Sequence, residues 1–103
     1  MTEIVNPADC RTMPEIRAGI DELDRRIVAL LAERMRYIEA AARVKETRGT
    51  VRDEWRKADV IEKAQATARS EKLDDGLVAD LYELLVERSI AHEFVVFDAL
   101  EKT

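Results

Sequence analysis

Four polar side chains stand where helical periodicity asks for apolar ones. Ile16, Ile20, Leu23, Ile27, Leu30, Arg34, Ile38, Ala41 and Lys45 recur in steps of three or four, a stripe that is apolar except at Arg34 and Lys45. At 100° per residue these two cations lie within about 20° of each other, three turns apart. A later stripe, Val78, Tyr82, Leu85, Ser89, Glu93, Val96 and Leu100, is interrupted by Ser89 and Glu93, one turn apart on the same face. Each residue taken singly is explained by an edge position whose stem covers apolar surface, or by a buried pair that sets register. Taken together, two cations, a hydroxyl and a carboxyl on two burial faces point to a polar pocket inside a helical bundle.

The chemistry open to such a pocket is narrow. His92 is the only histidine and Cys10 the only cysteine, and neither falls on these stripes. Acid–base relay and covalent catalysis therefore have little support, and no Cys/His/carboxylate cluster has metal-ligand spacing. No metal and no cofactor is expected. What remains is the binding of a small anion and the stabilisation of charge that develops as it reacts.

The elements that must position these residues can be read in order. Residues 1–11 form an irregular arm, with Asn6-Pro7 favouring a turn. Thr12-Met13-Pro14-Glu15 is a helix start: Thr12 caps, Glu15 reaches back as the capping-box partner, and Pro14 is tolerated in the first turn. The first helix is expected from Met13 to Arg48, with Gly49 as its stop. A connector, Gly49 to Asp53, precedes a second helix over about Asp53 to Ser70, for which Thr50 and Asp53 are both candidate caps. Asp74 opens a third helix, about Asp75 to Leu100, whose extra apolar row (Leu77, Leu81, Leu84, Ala91, Val95) makes it the centre of the bundle.

Length and composition bound the rest. One domain over residues 1–103 is expected, all-α, with three helices. A first helix of that length spans about 54 Å, whereas a compact chain of 100 residues has a radius of gyration of about 13 Å. The remainder of the chain cannot wrap it, so an obligate homodimer sharing the first helix is expected. Net charge is −5, which argues against nucleic acid as the main partner. No stretch reaches the roughly 20 apolar residues of a membrane span, and the lone cysteine fits a reducing cytoplasm. Cys10 itself reads as a small packed residue rather than a reactive thiol.

At this point the sequence resembles the all-α chorismate mutases, and more closely the related isochorismate–pyruvate lyases. The resemblance runs from Asp9-Cys10 onward. It rests on Glu15-Ile16-Arg17, Ile20-Asp21, Leu23-Asp24, Ile27-Val28, Leu30-Leu31 and Arg34, then Tyr37, Ala41-Ala42 and Lys45. It continues in Val51-Arg52-Asp53 with Arg56, and ends at Ser89 and Glu93. It implies three helices per chain in an intertwined homodimer with two equivalent sites and a small dianionic substrate, chorismate or isochorismate. Arg17, supplied by the other subunit, and Arg34 match the arginines that clamp substrate carboxylates, and Arg56 completes the clamp. Lys45 matches the lysine on one carboxylate and the ether oxygen. Glu93 falls where many relatives carry Gln, the second donor to that oxygen. Asp53 and Ser89 match lesser contacts, to the ring hydroxyl and a carboxylate.

Two departures from the family pattern bear on activity. Glu93 can donate a hydrogen bond only when protonated, so turnover is expected to fall with rising pH and Glu93→Gln to flatten the profile. Lys57 follows Arg56 where typical mutases place a glutamate on the ring hydroxyl. The Asp9-Cys10 arm, Tyr37 and the gapless spacing from Lys45 to Leu73 favour the lyase. The polar Val51-Arg52-Asp53 connector favours the mutase, which leads narrowly. A helical dimerisation module without catalysis is the third reading, although such a module has no use for Arg34 and Lys45 in its seam.

Overall fold

A computed structural model of the chain describes residues 3–100, all of whose regular structure is helical. Three helices follow in order: α1 (Met13–Val44), α2 (Glu54–Ser70) and α3 (Asp75–Ala99), with single 3-10 turns at Pro7–Asp9 and Arg48–Thr50. The described residues group into two compact units that divide between Arg36 and Tyr37, within α1. The first two residues of the N-terminal arm lie outside the described residues; the rest of it contains the Pro7–Asp9 turn, closed by Cys10 N–H on the Pro7 carbonyl at 3.3 Å.

In the first unit the start of α1 is the capping box read from the sequence. Glu15 N–H donates to Thr12 Oγ1 at 3.3 Å, and Thr12 N–H donates back to Glu15 Oε1 at 3.0 Å. Arg11 N–H reaches the same carboxylate oxygen at 3.0 Å. These donors, the Arg11 amide first among them, hold the Glu15 carboxyl below its usual range. Cys10 is half-buried and, with Ile4, Val5, Ile16 and Ile20, lines a cavity of about 270 Å³ between the arm and α1. That setting fits the packed-residue reading. The stripe of α1 is uncovered along the single chain: Ile16, Ile20, Leu23, Ile27 and Leu30 are 38–63% exposed.

In the second unit, the last turns of α1, the connector, α2 and α3 close on one core. Ala42, Val51, Val86, Ile90 and Phe97 are buried together, with Val60, Ile61, Tyr82 and Phe94 packed around them. His92 Nε2 and Glu39 Oε2, 2.7 Å apart, tie α3 to α1 at the edge of this core.

Here α1 ends earlier than the sequence reading placed it. The helix stops at Val44, not Arg48, and Gly49 sits in a 3-10 turn with no positive φ. The reason is Val51, which is buried in the core beside Ala42. Continued as an α-helix, the chain would carry Val51 about 10 Å beyond Val44. Turning back buries a valine side chain, worth about 1.5–3 kcal/mol. The tertiary contact outweighs local helix propensity.

The second helix starts where the Asp53 alternative put it, with the Asp53 side chain accepting from Arg56 N–H at 3.0 Å. Asp74 caps α3 through Gly76 N–H at 3.1 Å. Between α2 and α3 the chain reverses through a Schellman motif, with Leu73 N–H on the Ala68 carbonyl at 2.8 Å and Lys72 N–H on the Arg69 carbonyl at 3.1 Å. The left-handed position, φ 59°, is taken by Lys72 and not by glycine.

Candidate active site

The residues proposed from sequence divide between the two units. Arg17 and Arg34 belong to the first unit; Lys45, Asp53, Arg56, Ser89 and Glu93 belong to the second. Within the second, Lys45 and Glu93 are brought together, while Asp53 and Arg56 meet each other at the start of α2.

The Lys45–Glu93 pair joins the end of α1 to α3 within the second unit. Lys45 is the first residue past α1, yet its N–H still bonds the Ala41 carbonyl at 2.9 Å, so it keeps the angular register of the stripe. A cation at this end also complements the helix dipole. Its side chain turns inward: Nζ donates to the Val51 carbonyl at 3.3 Å and lies 2.7 Å from Glu93 Oε2. Glu93 is 4% exposed, on the buried face of α3 with Val86, Ile90 and Phe97. Although the ammonium is close, Glu93 Oε2 has no aligned hydrogen-bond donor. The contact is held by charge proximity and is off the hydrogen-bond direction. A buried carboxylate in that position is costly without its cation, and removing either partner strands the other.

Ser89, one turn before Glu93, is 2% exposed, and its hydroxyl donates to the Leu85 carbonyl at 2.7 Å. This back-bond satisfies the donor within the helix. Asp53 serves as the N-cap described above. Arg56 is exposed and its guanidinium pairs with Asp59 at 2.7 Å, an interaction shared with Lys63. Asp59 is held below its usual range by Lys63 first and by Arg56. Arg34 is half-buried. Arg17 is exposed and lines, with Pro14, Ala18, Asp21 and Arg25, a cleft of about 630 Å³ in the first unit.

Sequence reasoning missed the clamp that holds the connector. Arg52 grips Glu87 of α3 with two nitrogens, at 2.7 and 3.1 Å, and also meets Glu54 at 2.8 Å. Lys57 joins the cluster, 2.9 Å from Glu87 and 2.6 Å from Glu83. Arg52 and then Lys57 pull the Glu87 carboxyl down to about 2. Glu83 and Glu87 in turn hold the Lys57 ammonium above its usual range. Lys57, the residue out of pattern beside Arg56, is thus bound to α3 by two carboxylates. Arg48 pins the other end of the connector, 3.0 Å from Asp98 and 4.5 Å above the Phe94 ring. These partners are 35 and 50 residues apart, so no local signal connects them.

Among the described residues no group of His, Cys, Asp or Glu could hold a metal ion, and no helix is long and apolar enough to cross a membrane. A three-helix chain with an inward lysine paired to a buried glutamate defines a class: all-helical proteins with polar breaks in an apolar core. The comparison with known families narrows this. The family described as chorismate mutase type II matches residues 16–94, and the chain belongs to that family. It is also similar to the isochorismate pyruvate lyase of Pseudomonas aeruginosa, with 31% identity over 87 residues, covering 84% of this chain and 86% of that protein. The chain is therefore an enzyme, a chorismate mutase or a closely related lyase. The matched span takes in Arg17, Arg34, Lys45, Asp53, Arg56, Ser89 and Glu93.

Proposed function

We propose that the chain is a chorismate mutase, rearranging chorismate to prephenate in a homodimer whose sites each take Arg17 of the partner subunit. The observation that carries this reading is the half-buried Lys45 held 2.7 Å from the buried Glu93, in a chain of this family. In the reaction the ether C–O bond of the enolpyruvyl group breaks while a C–C bond forms, and no covalent enzyme intermediate is needed. Arg34, Arg56 and the partner arginine hold the two carboxylates in the folded conformer, which supplies the entropic part of the acceleration. As the C–O bond lengthens, negative charge grows on the ether oxygen. Lys45 stabilises that charge, and Glu93 is assigned the second contact at that oxygen. Ser89 and Asp53 are assigned the lesser contacts, to a carboxylate and to the ring hydroxyl.

Support for the homodimer comes from the uncovered apolar stripe of α1, whose five residues gain most from a second copy of the same stripe. A second reading, isochorismate–pyruvate lyase, is favoured by the similarity to the Pseudomonas aeruginosa protein. It uses the same clamp, with a hydrogen transfer that expels pyruvate and leaves salicylate.

One assay separates the readings. Purified protein is supplied with chorismate and with isochorismate, and prephenate and salicylate are followed separately. Faster prephenate formation is expected. Predominant salicylate formation would assign the lyase, and no turnover of either would leave a helical dimerisation module.

A further inference from the structure

The peptide that holds Lys45 is itself held from α3. Lys45 Nζ donates to the Val51 carbonyl, and that carbonyl belongs to the peptide unit whose nitrogen is that of Arg52. On one side of this peptide the Val51 side chain is locked in the core against Val86 and Ile90. On the other, Arg52 takes both carboxylate oxygens of Glu87, the planar two-point geometry that fixes direction as well as distance. Glu87 and Glu93 stand on the same helix, so one rigid element sets both the glutamate that faces Lys45 and the anchor of the peptide that aims it.

We propose that Arg52, through Glu87, is a positioning residue for Lys45: it fixes the Val51–Arg52 peptide so that the Val51 carbonyl holds the ammonium against Glu93. The inference rests on the proposed role of Lys45 in turnover. Without the clamp the connector loses its direction at this peptide. The ammonium then samples positions displaced from the developing charge, and a misplacement of about 1 Å is costly in rate. Most contacts to the substrate carboxylates are assigned to Arg34, Arg56 and the partner arginine, so ground-state binding is affected less than the chemical step.

The test compares Arg52→Ala, Arg52→Lys, Glu87→Gln, Glu54→Ala and Lys45→Ala in the full chain, with kcat and KM taken per folded protein and Tm recorded for each. Arg52→Ala is expected to lower kcat by about tenfold or more with KM changed less than about threefold. Arg52→Lys restores part of the loss, and Glu87→Gln, which keeps the shape of the clamp but not its charge, falls in between. Glu54→Ala removes only the local partner of Arg52 and leaves kcat unchanged. An Arg52→Ala protein that is less stable but retains kcat overturns the proposal, as does an equal loss of kcat in Glu54→Ala. If Lys45→Ala itself retains turnover, the underlying site reading fails, a result separate from the other two.

Discussion

Lys45 and Glu93 are each unfavourable where they stand and become acceptable only as a pair. Glu93 lies on the buried face of α3, and its Oε2 atom has a cation at 2.7 Å but no aligned donor. An oxygen left in that state is suited to gaining a partner when a ligand enters and is costly to leave alone. Two outcomes follow at this scale. Lys45→Ala is expected to lower kcat with chorismate by about 10²–10³, the range for removing one preorganised donor from a developing oxyanion. Glu93→Gln keeps the shape and places an amide donor beside Lys45, so turnover of chorismate is expected to be retained; a variant that folds but loses turnover would exclude a donor role at this position. Ser89 stood out in the sequence for the same reason as Glu93, yet its hydroxyl is satisfied by Leu85 of its own helix. Periodicity marks a buried polar residue without saying what it bonds.

At the scale of elements, local chemistry wrote the starts clearly and the stops poorly. Thr12 with Glu15, Asp53 and Asp74 all accept the amide hydrogens expected of caps. Those bonds span two or three residues, so they are visible in the sequence. The end of α1 at Val44 and the left-handed Lys72 were not, because the first is set by the burial of Val51 and the second replaces the usual glycine signal. Lys72 supplies a stability test. An L side chain in the left-handed region costs about 1 kcal/mol or slightly more relative to glycine, partly offset by glycine's greater unfolded-state freedom. Lys72→Gly is therefore expected to stabilise the protein by about 0.5–1 kcal/mol, read as a higher denaturant midpoint with an unchanged m value.

The clamp between the connector and α3 gives a pH test. Arg52 and Lys57 hold the Glu87 carboxyl down to about 2 from an ordinary 4.5. A group depressed on folding contributes stability that is fully present above pH 4.5 and is lost as pH falls through the interval to about 2. Glu87→Gln should therefore flatten the decline of Tm across that interval. Because the Glu87 side chain is 37% exposed, the contribution should also shrink in high salt. An acid limb that is the same in both proteins would show that Glu87 does not govern it.

At the scale of the whole molecule the deciding feature is the uncovered stripe of α1. Ile20 and Ile27 are each 52% exposed along the single chain. Full burial of such a side chain is worth about 1.5–3 kcal/mol, and covering the exposed half recovers about half of that at each position, so a second copy gains over several residues. Ile20→Glu and Ile27→Glu are expected to convert a dimer into monomer or unfolded chain by sedimentation, whereas Arg34→Ala should remove turnover and leave the dimer whole. A dimer untouched by either glutamate would place the interface elsewhere; an Arg34→Ala chain that dissociates would return Arg34 to a structural role.

What the sequence determined by itself is what depends on neighbours within about one turn or on a regular period. That covers the helix starts, the all-helical class, the stripe of α1 and the two polar breaks in each burial face. Family membership was also legible: the family matches residues 16–94, the stretch that holds the motif residues. Only the tertiary structure decided where α1 stops, which oxygen the Ser89 hydroxyl takes, that Lys57 is bound by Glu83 and Glu87, and that Arg52 anchors the peptide facing Lys45. Most of these outcomes join residues far apart in the chain, so they depend on how α2 and α3 close around Val51. Ser89 differs in range: the carbonyl its hydroxyl donates to is one turn away, on Leu85 of the same helix. A one-dimensional pattern can mark a residue as displaced from its expected environment, but the partner that stabilises it exists only after the chain has folded.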